Sequence, residues 1–197
     1  NTAEAGALNR KLYESSATLV RNEDELLPIQ RPDTLSMAYV SLGGAETEDH
    51  FKNTLQLYGS LDTYELPARI KKKDSEMLMD ELEPYNLVIL GIRNTNIYAF
   101  NNFGISGDTW DFVNELSRRK KVILDLFACP YALSAMDSTA LPEAVIVSYQ
   151  DNPLTESIGA QLIFGGVGAS ATLPVEVKGL FASGSGFKTE AIRLHLT

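Results

Sequence analysis

The sequence is poor in the residues that build disulfide frameworks, metal sites and histidine-based catalytic centres. Its 197 residues include a single cysteine, Cys129, and two histidines, His50 and His195. One cysteine excludes an internal disulfide and a cysteine-rich metal site. Neither histidine has neighbouring ligands at metal spacing, and nothing in the sequence pairs either one with a nucleophile. We therefore expect no metal and no cofactor.

Positive charge and long apolar runs are also scarce. The chain has 17 Lys and Arg against 26 Asp and Glu, which gives a net charge of −9. Nucleic-acid binding depends on clustered basic residues, so this balance argues against it. No apolar run approaches the roughly 20 residues of a membrane span. A hydrophobic content of 44% nevertheless supplies a sizeable core and argues against disorder.

Several familiar catalytic and phosphate-binding motifs are missing. Residues 104–108 break the G-x-S-x-G pattern of a nucleophile elbow at its last position. Gly165 and Gly166 follow a predicted helix, whereas a phosphate-binding loop follows a strand and opens a helix. Gly43 and Gly44 stand where a phosphoreceiver domain would carry acidic residues. Asp125, inside a predicted strand, is either a group with a shifted pKa or a structural acid with polar partners.

Helical and strand patterns alternate along most of the chain. Nearly continuous apolar runs predict buried strands at 35–42, 87–92, 122–127 and 144–147, as a parallel sheet covered on both faces requires. We also predict a first helix over 3–20, a short strand at 61–66 and a last strand at 173–177, placed at an edge because Pro174 cannot donate. The predicted fold is α/β: a flavodoxin-like three-layer α/β/α sandwich with about six mostly parallel strands.

An ordered set of short motifs indicates a family. The chain resembles, from about residue 3 to residue 177, the C-terminal domain of family 3 glycoside hydrolases. The motifs that carry the resemblance are ATLVRNE at 17–23, LLPI at 26–29, FACPYAL at 127–133, LIFGG at 162–166 and TLPV at 172–175. Cys129 departs from this pattern, because the family has Asn at that position of its strand-to-helix turn.

The resemblance implies a domain without a catalyst of its own. The family keeps its nucleophile in a preceding barrel domain, and β-glucosidase members borrow an acid/base Glu from a loop of the C-terminal domain. No Glu lies between Arg93 and Asp108 here, and Asp108 and Asp111 are better read as helix cap and first-turn charges. Members of the β-N-acetylhexosaminidase-like branch take both catalysts from the barrel. The resemblance therefore implies membership of that branch and a fragment that has no activity by itself. It also implies a barrel domain in the same parent chain as the partner, and a periplasmic or secreted location.

The candidate site lies in loops that follow the strands, because ligands of open α/β sheets bind beyond the carboxyl ends. We predict a role in substrate binding or at the domain interface for Arg93, Asn94, Asn96, Cys129 and Tyr131. The connection from Arg93 to Asp108 is unusually long, as functional loops often are. The alternative is that the Asn residues only cap turns.

The domain itself is predicted to span residues 1–178. Residues 179–197 are read as a linker or tail that leads to a following segment, with the alternating pattern at 191–196 as another strand. The alternative function is a self-contained small-ligand binding or signalling module, which the same fold class permits.

Overall fold

The computed structural model describes residues 2–43, 48–68, 70–193 and 195–196. Six strands form one sheet, with five α-helices packed around it. The strands are β1 (Thr18–Asn22), β2 (Met37–Gly43), β3 (Asp62–Pro67), β4 (Leu87–Ile92), β5 (Lys121–Leu126) and β6 (Ala144–Val147). The helices are α1 (Ala3–Ser16), α2 (His50–Tyr58), α3 (Lys72–Glu81), α4 (Gly107–Arg119) and α5 (Pro153–Phe164).

The strand order across the sheet is β1-β6-β5-β4-β2-β3. Strands β2 to β6 are all parallel, and only β1 runs antiparallel, paired with β6. Across the sheet the five parallel strands lie in the order β3-β2-β4-β5-β6. If these strands are numbered 1 to 5 along the chain, the order is 2-1-3-4-5, as in flavodoxin-like folds. The predicted three-layer sandwich with six mostly parallel strands is confirmed.

Each face of the sheet carries its own apolar cluster. Val88, Leu90 and Leu124 point to the side covered by α3 and α4, where Trp110 and Leu116 complete the core. The alternate strand residues point to the side of α2 and α5, and they include Ile89, Ile123 and Phe127. Burial on both faces explains why these strands read as continuous apolar runs rather than alternating ones.

Polar caps position the helices that border the carboxyl edge of the sheet. The Asp49 side chain accepts from the Lys52 amide and begins α2, and Ser106 does the same for α4 through Thr109. Asn152 and Thr155 form a reciprocal capping box at the start of α5. Gly165, with φ of 76°, ends α5 in the left-handed conformation that glycine adopts without strain.

The prediction of one helix over residues 3–20 is wrong. Helix α1 ends at Ser16, and residues 18–22 form β1 at the edge of the sheet. Thr18 and Leu19 pair with Val147 and Ile146, so tertiary pairing of β-prone residues overrides the helical spacing. Leu19 is buried in the sheet, whereas Leu8 and Leu12 stay exposed on α1.

The prediction of a final strand at 173–177 is also wrong. That segment folds against residues that follow it: the Leu173 amide donates to Ser185 O, and Val177 forms an isolated bridge with Phe181. The sheet edge beside β6 is already occupied by β1, and Pro174 has no amide to donate. In the described part of 191–196, which omits Leu194, the backbone forms no strand.

Candidate functional site at the carboxyl edge of the sheet

Arg93 follows β4 directly and lies at the point where the strand order changes direction. Its amide donates to Leu42 O of β2, the neighbour of β4. Open α/β sheets bind their ligands beside such a switch point. The Arg93 side chain, however, is only 1% exposed. The side chain points into the interior of the domain and not into the solvent beyond the strand ends.

Three carboxylates surround the Arg93 guanidinium. Nη1 lies 3.1 Å from Oδ2 of Asp49, and Nη2 lies 3.0 Å from Oε1 of Glu156. Nε lies 3.9 Å from Oδ1 of Asp151, and Nη2 also donates to Glu48 O at 3.2 Å. We call Arg93, Asp49, Asp151 and Glu156 the Arg93 cluster. It ties the end of β4 to the beginnings of α2 and α5.

Each acid of the Arg93 cluster has a second structural contact. Asp49 caps α2 and accepts the Tyr39 hydroxyl at 2.9 Å, while Glu156 Oε2 accepts the Phe51 amide at 3.1 Å. Asp151 accepts the Asn94 amide at 2.6 Å. A contact between Arg93 and a sugar stays a prediction, and it would require the guanidinium to leave these carboxylates.

Burial and charge act in opposite directions on the pKa values of this cluster. Burial lowers the pKa of Arg93, but Asp49 and Glu156 outweigh it, so the pKa is raised and the group stays charged. Burial raises the pKa of Glu156 despite the opposing pull of Arg93. Burial, with the nearby Asp49 charge, raises the pKa of Tyr39 well above its ordinary value. The Tyr39 hydroxyl therefore remains a donor at every physiological pH.

Asp125 is a second buried acid beside the cluster. It lies on β5 and is fully buried, with Oδ1 accepting the Ser148 hydroxyl at 2.8 Å. Oδ2 has no hydrogen-bond partner among the described residues. Burial raises the pKa of Asp125 to about 7, with the Ser148 hydrogen bond opposing and the Glu156 charge adding to the rise. Asp125 thus has the polar partner expected of a structural acid at one oxygen and the burial that shifts a pKa at the other, so both readings that the sequence left open stay predictions.

Gly159 of α5 packs directly on this carboxyl group. A Cβ atom at position 159 would overlap Oδ2 of Asp125, with the Ser148 hydroxyl close by. The absence of a side chain therefore lets α5 approach β5 closely at this level of the sheet. This is a position where the close approach of two elements requires glycine.

The loop after Arg93 is held by polar contacts at its base. Asn94 has φ of 53°, and its Nδ2 donates to Gly43 O at 3.0 Å. Thr95 Oγ1 donates to Phe127 O, and the Asn96 amide donates to Phe103 O. Asn96 Oδ1 accepts the Tyr98 amide. Asn94 and Asn96 thus shape the turn, as the alternative reading expected, and a ligand contact by either stays a prediction. Gly44, which the sequence analysis compared with the acidic position of phosphoreceiver domains, lies outside the described residues.

Cys129 and Tyr131 follow the neighbouring strand β5. Cys129 is half-buried and packs against the core on the α3 and α4 side. Tyr131 lies in the 3₁₀ segment Pro130–Ala135 and is 48% exposed. This segment contacts the 3₁₀ segment Ala99–Gly104 of the long loop. The long loop after Arg93 and the segment that contains Tyr131, which are distant in sequence, therefore lie side by side at the carboxyl edge of the sheet.

Exposed apolar side chains stand on that stretch. Ile97 is 84% exposed, Phe100 is 89% exposed and Tyr98 is 54% exposed, while Phe103 beneath them is buried. We call the surface formed by Ile97, Tyr98, Phe100 and Tyr131 the rim. Tyr98 and Phe100 contact each other, with ring centroids 5.4 Å apart. Aromatic surface of this kind usually contacts another molecule or domain.

The sequence reasoning missed the acids that hold Arg93. Asp49 and Asp151 each stand just before a helix and after a strand of the parallel sheet, so both had to lie at the carboxyl edge near Arg93. That signal could have paired them. Glu156 carried no such signal, because its place in the first turn of α5 reads as an ordinary helix-dipole charge.

Within residues 2–43, 48–68, 70–193 and 195–196, no group of three or more His, Cys, Asp or Glu side chains is arranged to hold a metal ion. None of the helices described there has both the length and the apolar character needed to span a bilayer.

Comparison with solved structures finds the same fold inside family 3 glycoside hydrolases. A family 3 β-N-acetylglucosaminidase from Paenibacillus sp. str. FPU-7 aligns with 90% of this chain at 16% identity and a TM-score of 0.71. A fungal multi-domain family 3 β-N-acetylglucosaminidase aligns with 92% of it at 20% identity and a TM-score of 0.69. A β-glucosidase from Listeria innocua aligns with 87% of it at 15% identity and a TM-score of 0.67.

The chain is similar to only part of each of these proteins. It spans 33%, 20% and 26% of their respective lengths, as one domain of a larger chain would. No family model and no curated protein matches the sequence itself. The likeness is one of fold, because every identity is 20% or lower.

Proposed function

We propose that the chain is a non-catalytic C-terminal domain of a family 3 glycoside hydrolase. In this proposal it packs against a catalytic barrel domain of the same parent chain and lines one side of the sugar site. The parent would act on a carbohydrate in the periplasm or outside the cell. The shared fold, the motif order and the small share of each similar enzyme that the chain covers all support this reading.

The observation that carries the proposal is the rim. Ile97 and Phe100 are almost fully exposed at the carboxyl edge, on a loop whose base is fixed by backbone and side-chain hydrogen bonds. Large apolar side chains held outward cost free energy unless a partner covers them. A barrel domain packed on this edge would bury Ile97 and Phe100. It would also bring Asn96 and Tyr131 close to the open end of the barrel.

Three acids at the edge, Asp49, Glu156 and Asp125, are unsuited to catalysis as they are placed. Glycoside hydrolysis needs two carboxyl groups on either side of the scissile bond. Asp49 and Glu156 are buried and paired with Arg93, and Asp125 is buried against Gly159. None of these carboxyl groups can reach a sugar unless it first breaks its contact with Arg93 or Ser148.

The branch of the family rests on the loop sequence. The solved structures of similar fold include both β-N-acetylglucosaminidases and a β-glucosidase. No Glu lies between Arg93 and Asp108, which favours the β-N-acetylhexosaminidase-like branch through the resemblance described above.

The test compares the chain alone with the complete product of its gene. We expect the chain alone not to release aryl alcohol from an aryl N-acetylglucosaminide, and the complete product to do so. Ile97→Asp with Phe100→Asp in the complete product should lower its activity, whereas Leu57→Asp, an exposed leucine on α2, should not. Turnover by the repurified chain, or a complete product without a barrel, would refute the proposal.

A further inference from the structure

The Arg93 cluster holds more negative charge than its one cation neutralises. Carboxyl oxygens of Asp49, Asp151 and Glu156 lie 3.0–3.9 Å from the guanidinium nitrogens, and no other cation among the described residues pairs with these acids. When all three are ionised, three negative charges face one positive charge, which leaves a net charge of −2. Excess charge is costly inside a protein, so the cluster is most stable while one of its carboxyl groups holds a proton.

Asp125 adds to the excess from the neighbouring strand β5. Its pKa of about 7 is raised by burial, lowered in part by the Ser148 hydrogen bond, and raised by the charges of Glu156 and Asp151. Burial also raises the pKa of Glu156 against the pull of Arg93, and the Asp151 carboxyl group adds to the rise. An acid with a raised pKa is protonated below that value, so these groups together gain negative charge as the pH rises from about 6 to about 8.

The other titratable groups that face the cluster come from β2 and from the start of α2. The Tyr39 hydroxyl of β2 donates to Asp49 at 2.9 Å, and burial raises its pKa so far that it stays protonated throughout this range. Glu48 and His50 flank Asp49, and their side chains pair with each other at 3.7 Å near the surface. A test of the buried acids therefore needs a control that removes His50.

Asp151 is the member of the cluster that can move towards water. Its side chain is 19% exposed, whereas those of Asp49 and Glu156 are 3% exposed and that of Arg93 is 1% exposed. Asp49 is also held by its helix cap, and Glu156 by the Phe51 amide. The contact of Asp151 with the guanidinium is the longest of the three, at 3.9 Å. Repulsion between like charges will therefore displace Asp151 before either of the other acids.

Asp151 also holds the base of the rim loop, as we call residues 94–103. Its Oδ2 accepts the Asn94 amide at 2.6 Å, a hydrogen bond that the charge of the carboxylate strengthens. The remaining contacts described at this base are made by hydroxyl, side-chain amide and backbone groups, which do not titrate. Outward movement of Asp151 would therefore release the first residue of the loop that carries most of the rim.

We infer that the charge of the Arg93 cluster controls the order of the rim loop. With one proton in the cluster, Asp151 stays beside Arg93 and the Asn94 amide keeps its acceptor. Once that proton is released, Asp151 turns to the solvent and residues 94–103 gain loop motions on the nanosecond timescale. The inference concerns the chain by itself and does not depend on the proposed function. A partner docked on the rim would bind more tightly below neutral pH than above it.

The experiment measures ¹⁵N relaxation of the chain at pH 6 and at pH 8. Order parameters of the rim loop should be about 0.85 at pH 6, as for a rigid backbone, and below about 0.6 at pH 8. Those of β4 should be the same at both values of pH. The Asn94 amide proton should move upfield over the same range, because it loses a charged acceptor.

Two substitutions at Asp151 and a matched control test its role. Asp151→Asn keeps an oxygen for the Asn94 amide but cannot ionise, so the rim loop should stay rigid at both values of pH. Asp151→Ala removes the acceptor, so the loop should be mobile at both. Asp33→Asn changes an exposed acid that pairs with Arg31, and it should behave as the original chain does. The same spectra show whether each variant is folded.

A substitution away from the loop gives a second measurement. Asp125→Asn removes one of the buried charges and leaves the hydrogen bond between Asp151 and Asn94 in place. With less repulsion in the interior, the loss of order in the rim loop should move to higher pH. An unchanged midpoint in this variant would count against the inference.

Three further results would overturn the inference. They are equal order parameters of the rim loop at pH 6 and pH 8, an Asp151→Asn protein with the pH dependence of the original chain, or a pH dependence that His50→Gln abolishes. Histidine side chains in general change charge in this range, so the last result would assign the effect to the surface pair and not to the buried acids. A complete gene product without a barrel would refute the proposed function and leave this inference unaffected.

Discussion

Arg93 Nη2 and Glu156 Oε1 lie 3.0 Å apart in the interior, joining the end of β4 to the first turn of α5. Removal of the guanidinium would leave Asp49 and Glu156 buried without a cation. We expect Arg93→Ala to lower the free energy of unfolding by about 3–5 kcal/mol, the usual cost of breaking a buried ion pair. Urea denaturation monitored by circular dichroism measures it.

The control for this substitution is Arg31→Ala. Arg31 pairs with Asp33 at 3.0 Å, but both side chains are exposed, so its loss should leave the unfolding curve unchanged. Arg93→Lys should fall between the two, because it keeps the charge and loses the planar contacts. Equal stability of the Arg93→Ala and Arg31→Ala proteins would contradict a structural role for Arg93.

Asp125 should make the chain less stable as the pH rises. Its folded pKa of about 7 lies above its ordinary value of 3.8, so the folded state holds a proton that the unfolded state has released. Stability from this group is complete below about pH 4 and is lost as the pH rises towards 7, by up to roughly 4 kcal/mol. The raised pKa of Glu156 acts in the same direction.

Asp125→Asn isolates this contribution. The amide cannot ionise, and its oxygen can still accept the Ser148 hydroxyl. We expect the variant to unfold at higher urea concentration than the original chain at pH 8, and the difference to shrink at pH 5. A parallel pH dependence of the two proteins would show that Asp125 does not titrate in this range.

Gly159→Ala should be strongly destabilising. The added methyl would overlap the Asp125 carboxyl group, so α5 would have to move away from β5, and overpacking of this kind costs about 1–3 kcal/mol. Gly6→Ala in α1 is the matched control, because nothing lies near its added methyl. It should stabilise the chain by about 0.5–1 kcal/mol. Thermal unfolding of both variants measures the two changes in stability. Stability changes of the same sign in Gly159→Ala and Gly6→Ala would contradict the prediction.

The rim should contribute nothing to the stability of the chain by itself. Ile97→Ser with Phe100→Ser should leave the free energy of unfolding within about 0.5 kcal/mol of the original value. Phe103→Ser, on the same loop but buried, should cost about 3 kcal/mol or more. Chemical denaturation of the three proteins tests this. A large loss in the rim variant would mean that Ile97 and Phe100 pack within the domain.

The parts of the fold that local pattern determines could be predicted from the sequence. The apolar runs predicted β4, β5 and β6, because a strand buried on both faces is composed mostly of apolar residues. The predicted helix before Gly165 and Gly166 is α5, which ends at Phe164. The boundary between α1 and β1 could not be found this way, since Leu8, Leu12 and Leu19 share a helical spacing. Only pairing with Ile146 on a distant strand makes residue 19 extended.

The candidate site shows the same limit. Strand ends placed Arg93, Asn94 and Tyr131 at one edge of the sheet. The direction of the Arg93 side chain depends on three acids. The element order brings Asp49 and Asp151 to the same edge as Arg93, but nothing local shows that the guanidinium turns inward to meet them, and Glu156 carries no signal at all.

The segment after residue 179 has a consequence for how copies of this chain would behave together. The Phe187 amide donates to Leu19 O at 2.7 Å, so the tail pairs with the outer side of β1, the strand that ends the sheet. An uncovered edge strand is a template on which another chain can add, and proteins protect such edges. The opposite edge, β3, carries Asp62, Glu65 and Pro67 for the same purpose. Truncation before residue 179 would therefore be felt first as aggregation, even where the shortened domain still folds.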